Sequence, residues 1–174
     1  MVGGGHDKAR AQAAEIGKTN PAKEHWVYAR IAEKNKDLPV AEKEYRTAIE
    51  LSNGSADAWL NLGMFLRKQQ RYDEMDGALR KATALPVRPP EVMVDAADTL
   101  LRAGRDFPYA IDLLKRYLAG QMVEEAPSFK AHYLLGAILE KQGDRQGAAH
   151  AYQESLALAR GYGRAQEALK HLGQ

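Results

Sequence analysis

Ala56-Asp-Ala-Trp59-Leu-Asn-Leu62-Gly63-Met-Phe-Leu66-Arg-Lys-Gln-Gln70-Arg71-Tyr72-Asp-Glu-Met75-Asp-Gly-Ala-Leu79-Arg-Lys-Ala82-Thr-Ala-Leu-Pro86 is the stretch from which the fold is read. Trp59, Leu62, Gly63 and Leu66 stand at i, i+3, i+4 and i+7, which is one face of an α-helix. Polar Gln70 and Arg71 break the stripe, and Tyr72, Met75, Leu79 and Ala82 open a second one of helical period. The whole pattern then recurs. The first stripe reappears as His25, Tyr28, Ala29, Ala32, as Met93, Ala96, Ala97, Leu100 and as His132, Leu135, Gly136, Leu139. The second reappears as Leu38, Ala41, Tyr45, Ala48, as Phe107, Ala110, Leu114, Tyr117 and as Arg145, Ala148, Tyr152, Ser155. The small residues Ala29, Gly63, Ala97 and Gly136 are 34, 34 and 39 residues apart. A side chain that small is what lets two antiparallel helices close on each other.

These periods divide the chain into four helix-turn-helix units, 22–55, 56–89, 90–128 and 129–162. The longer last interval is absorbed by one extra residue in the turn before Phe107 and by about four in a linker, 120–128, that contains Gly, Pro and paired Glu. Gly161 and Gly163 break the chain ahead of Ala165, Leu169 and Leu172, an amphipathic stripe that predicts a C-terminal capping helix within 163–174. The Ala-rich segment 7–21 is expected to hold an N-terminal helix, either a cap or the tail of a preceding unit. Residues 1–6 are expected to form a flexible leader.

With Pro86 closing it, the second unit resembles a tetratricopeptide repeat, and Leu135-Gly136, Gly143, Ala148 and Tyr152 of the fourth unit carry nearly the same likeness. Over residues 22–162 the resemblance implies an all-α, right-handed superhelical solenoid of antiparallel helix pairs whose first helices line a concave groove. Met75 and Tyr117 stand where the family usually has a small residue, and Arg145 where it commonly has an aromatic. Sharing such a fold implies a mode of binding rather than a reaction.

On each first helix, the face beside the core stripe is the one expected in the groove. It carries Trp26, Arg30 and Glu33, with Lys23 a turn earlier, in the first unit, and Asp57, Leu60, Asn61, Met64 and Arg67 in the second. Glu91, Val94, Asp95, Asp98 and Leu101 follow in the third, and Lys130, Tyr133, Ala137 and Glu140 in the fourth. Trp26, Leu60, Met64, Val94, Leu101 and Tyr133 make an apolar track rimmed by charge, suited to an amphipathic helix or extended peptide with the aromatics as anchors. Leu60 and Val94 have a competing reading, packing against the neighbouring first helix. Glu91, Asp95 and Asp98 either receive a basic side chain of a ligand or form a solvated helix face. Tetratricopeptide domains that capture C-terminal carboxylates use Lys and Asn side chains of first helices. Asn61 matches one such slot, but Trp26, Arg30, Glu91 and Asp95 occupy the others, so that ligand is not expected.

A chain of 174 residues has room for one domain of ordinary size or one short repeat array. Lys plus Arg number 25 against 23 Asp plus Glu, and a net charge of +2 supplies no excess to hold nucleic acid or an anionic bilayer. Arg30, Arg67, Lys68 and Arg102 lie near the ends of first helices, where they favour the helix dipole without any ligand, so no nucleic-acid partner is expected. The absence of cysteine removes disulfides, thiolate catalysis and cysteine-based metal sites. His25 and His132 fall on core stripes, His150 and His171 have no partner implied by spacing, and Gly3-Gly4-Gly5 does not follow a strand. Carboxylates along one straight helix seldom converge on a cation. No catalytic residue, cofactor or metal site is therefore expected, and the chain is not expected to be an enzyme. No apolar run approaches the ~20 residues needed to cross a bilayer. The start lacks the basic and apolar regions of a secretory signal, which points to the cytoplasm, or to the periplasm if a signal lay upstream.

The leading expectation is a non-enzymatic adaptor or assembly factor that binds a peptide or helix of a partner protein in its groove. The alternative is a self-associating scaffold whose groove is idle or self-occupied. A C-terminal helix packed on the last pair favours a monomer, and one swung away exposes a dimer surface.

Overall fold

The computed structural model describes residues 4–86, 89–120 and 127–173, with the side chains described from Lys8 onward. Among the described residues are ten α-helices and no strand: α1 Gly4–Gly17, α2 Pro21–Lys34, α3 Leu38–Leu51, α4 Ala56–Lys68, α5 Tyr72–Ala84, α6 Glu91–Ala103, α7 Phe107–Leu118, α8 Ser128–Lys141, α9 Arg145–Leu158 and α10 Gly163–His171. Helix α1 starts at Gly4, inside the stretch read as a leader. Most of the linker read at 120–128 lies outside the described residues.

Helix starts follow from local chemistry. Asn20, Asp37, Ser55, Asp106 and Asp144 each accept a hydrogen bond from the backbone N–H three residues on, which satisfies one of the orphan donors of the first turn. Pro21, Pro39 and Pro108 stand in first turns, where a missing N–H costs nothing. The turns inside the hairpins share one device as well. Lys36, Gln70, Gly104 and Gly143 adopt left-handed backbone, with φ of 62°, 58°, 66° and 84°. They are spaced by the same 34, 34 and 39 residues as the small core residues.

Two compact units, Met1–Arg88 and Pro89–Gln174, are built this way. In the first, each of α1 to α5 packs on its neighbour in the chain; in the second, α6 to α10 do so, and α6 also meets α8. Each core is closed where a glycine admits a large side chain. A Cβ on Gly63 would lie 2.8 Å from Leu79 Cδ2, and one on Gly136 only 2.6 Å from the Tyr152 ring. Met75 and Tyr117, bulky where the family has small residues, are both wholly buried. Two members of the second-helix stripes do not pack inward. Leu38 and Arg145 are exposed, because each is the first residue of its helix and the first turn overhangs the hairpin.

Candidate protein-binding recesses

In the first unit, α2, α3 and α4 enclose a recess of about 640 Å³ lined by Lys23, Trp26, Ala48, Leu51, Asp57 and Asn61, among others. Trp26 is half-buried, and its Nε1–H is shielded from solvent without an acceptor among the described residues. Asn61 Nδ2 donates to the Asp57 carbonyl at 2.8 Å, the bond of a helix-surface amide to its own preceding turn. Tyr45, which also lines the recess, donates from its OH to Glu33 Oε2 at 3.0 Å, and Lys68 of α4 pairs with Oε1 of the same carboxylate. Burial pushes the Glu33 carboxyl up, but the hydrogen bonds from Lys68 and Tyr45 outweigh it and hold it below its ordinary value. Arg30 is exposed. Met64 and Arg67 are half-buried on α4 and are not among the residues that line this recess. Leu60 is 5% exposed and belongs to the core, so it offers a ligand no surface.

In the second unit, two openings of about 440 and 860 Å³ share Leu101, Arg102, Tyr133 and Arg164 and so form one continuous recess. Of the nine residues expected on the groove faces of α6 and α8, eight line these openings, Val94, Asp95, Asp98, Leu101, Lys130, Tyr133, Ala137 and Glu140, and Glu91 does not. Val94 is 3% exposed and serves as buried backing rather than a contact surface. Asp98 is engaged within its own helix, where Arg102 Nε donates to Oδ2 at 2.6 Å. A basic side chain on a ligand therefore meets a carboxylate already paired.

Tyr133 forms the floor. Its ring lies 5.4 Å and 90° from Tyr162 and 5.7 Å and 35° from Tyr152, within edge-to-face and offset range. Burial, then the neighbouring Tyr162, pushes its phenol above the ordinary value. Behind it, Ala148, Ala149, Tyr152, Ala165 and Leu172 make the apolar cluster on which α10 is seated. Arg145 Nη2 fastens that helix by donating to the Leu172 carbonyl at 3.0 Å.

The wall formed by α10 was not among the expected site residues. Arg164, Glu167, Ala168 and His171 all face the recess, and their spacing of i, i+3, i+4 and i+7 is the signal that marks such a face on the other first helices. Among the histidines, His25 Nδ1 lies 2.5 Å from Glu44 Oε2. His150 has a carboxylate after all, Glu154 one turn on at 3.9 Å on an exposed face. Among the described residues, no three His, Asp or Glu side chains group to hold a metal ion. No described helix is long and apolar enough to cross a membrane.

Tetratricopeptide repeat models match the sequence over residues 28–74, 58–92 and 129–162. No curated protein matches it in sequence. Among solved structures, the chain is similar to PilW, described as a widely conserved type IV pilus biogenesis factor, with a TM-score of 0.68, 20% identity, and coverage of 96% of this chain and 82% of that one. It is similar to Pseudomonas aeruginosa pilF with a TM-score of 0.68, 20% identity, and coverage of 97% and 69%. The MamA protein gives 0.66 and 18%, over 87% of this chain and 80% of the other. At such identities the likeness is one of fold. Paired helices of one period, glycines and alanines at their crossings and the matched repeat models together make this chain a member of the tetratricopeptide repeat family.

Proposed function

We propose that the chain is an adaptor or assembly factor that binds a peptide or helix of a partner protein, chiefly in the recess of its second unit. One observation carries this reading: side chains from two first helices and from α10 converge on the same openings, with Tyr133 at the floor, Leu101, Ala137 and Ala168 along the walls and charge at the rim. An aromatic anchor backed by a packed cluster and ringed by polar groups is the arrangement in which a few contacts dominate binding. Covering a large apolar side chain in this way contributes ~1.5–3 kcal/mol. The rim charges would set direction and selectivity.

The experiment is affinity capture from lysate of the source organism with the wild type and a Leu101→Glu, Ala137→Arg double variant, with circular dichroism and light scattering on both. A protein retained by the wild type and lost by an equally folded variant is the expected result. Equal capture by both, or a stable wild-type dimer with no partner, would sink the proposal.

A further inference from the structure

The Tyr–Glu pair of the first helix hairpin recurs in the fourth. Glu33 and Glu140 stand four residues after Ala29 and Gly136, and Tyr45 and Tyr152 sixteen residues after them. In both hairpins the phenol donates to the carboxylate, at 3.0 Å in the first and 2.7 Å in the fourth. Units two and three have Arg67 with Leu79 and Leu101 with Leu114 at the equivalent positions, Leu114 falling one residue later because of the extra residue in the turn before Phe107, so the tyrosine and the glutamate are kept or lost together. The two hairpins differ in the cation. Helix α4, packed on α3, sends Lys68 onto Glu33. Helix α10, packed on α9 in the same order, turns Arg164, Glu167, Ala168 and His171 to the recess, and no cation among the described residues pairs with Glu140. Glu140 and Tyr152 instead both line the opening of about 860 Å³.

We propose that Glu140 receives a lysine or arginine side chain of a docked partner segment, which takes on Glu140 the place that Lys68 takes on Glu33. The proposal rests on the recess being the docking site. Tyr152 is 1% exposed, so the phenol that holds the carboxylate is locked by packing and little ordering is left for binding to supply. A carboxylate so oriented offers its second oxygen to a charge-assisted hydrogen bond, the strong kind. Arg102 does not fill this role, since Asp98 holds it within α6. Apolar residues beside the ligand's cation meet Leu101, Tyr133, Ala137 and Ala168, while Lys141 and Arg164 favour acidic residues flanking it.

The test is selection from a random-peptide display library on the full chain. Selected peptides are then titrated against the wild type, Glu140→Gln, Tyr152→Phe and the Leu101→Glu, Ala137→Arg recess variant, each checked by thermal melting. Peptides carrying one Lys or Arg among apolar residues are expected. Their affinity should fall about tenfold or more in Glu140→Gln, fall as far when that Lys or Arg is changed to Gln, and fall little further when both changes are combined. Tyr152→Phe should give a smaller loss, as befits a positioning residue. Peptides that bind in the recess without a basic residue, with an acidic one in its place, or with equal affinity for Glu140→Gln overturn this inference and leave the docking reading intact. Failure to select any peptide sensitive to the recess variant overturns both. A dimer of the chain that Glu140→Gln weakens assigns the site to a second copy and overturns the partner segment.

Discussion

Gly63 and Gly136 occupy equivalent positions but face different neighbours. A methyl group at Gly63 would meet the end of a buried leucine, whose bonds can still rotate, whereas at Gly136 it would meet the rigid ring of a buried tyrosine. Alanine gains ~1 kcal/mol of helix propensity over glycine, and overpacking a rigid neighbour costs ~1–3 kcal/mol. Gly63→Ala should therefore be close to neutral in urea unfolding, and Gly136→Ala should destabilise measurably. His132 is the second residue with a defined expectation. Burial first, then the nearby His150, holds its imidazole below 6.5, against the pull of Glu154. The unfolded chain then binds more protons, so this contribution to stability is complete above pH 6.5 and is lost as pH falls through the lower folded value. Melting temperatures of the wild type and His132→Gln across that window should converge toward acid, because only the wild type has an imidazole to charge.

At the scale of the helix, the caps and the last element carry the predictions. Asp144 holds the start of α9 through Gly147 N–H at 2.8 Å, and Asp144→Ala should cost ~1 kcal/mol in chemical unfolding. Leu172→Asp should unseat α10, since Leu172 is 6% exposed against Ala148, Tyr152 and Ala165. Hydrogen exchange should rise across 163–172 first, with α8 and the rest of α9 retaining protection. The hairpins themselves are legible because burial in a paired helix follows a period of 3.6, and Asn, Asp or Ser ahead of five of the eight stripes marks where those begin. Faces turned toward another pair were less so. Leu60 and Asn61 are neighbours on one helix, yet the first is buried and the second lines a recess. What decides between them is how α4 packs on α3 beside α2, a geometry that no single helix's period encodes. The groove face of α10 was overlooked for another reason: its apolar stripe is short enough to read as a cap alone, although Arg164, Glu167, Ala168 and His171 repeat the spacing of a first helix.

Taken as a whole, the molecule distributes its charge unevenly between the two units. In the first, Arg71 bridges Glu42 of α3 and Glu74 of α5, and Arg46 reaches both carboxylates. The hydrogen bond from Arg71 is the main cause that holds the Glu42 and Glu74 carboxyls below 4.5. With folded values depressed, their stabilisation is present above the unfolded value and lost as pH falls through the folded one. Acidification should thus loosen the units in different windows, the second below pH 6.5 through His132 and the first below pH 4.5 through its carboxylates. Hydrogen exchange at stepped pH should show amides of α8 and α9 losing protection before those of α3 to α5. The left-handed turns have a use of another kind. Lys36 and Gln70 are exposed, and each already carries a side chain in a backbone conformation that usually asks for glycine. In a chain free of thiols, a cysteine at either place strains nothing that is not strained already and is the sole site for a maleimide dye or nitroxide. A pair of such labels at 36 and 70 turns two consecutive hairpin tips into a molecular calliper, with which breathing between repeats can be followed as a distance in solution.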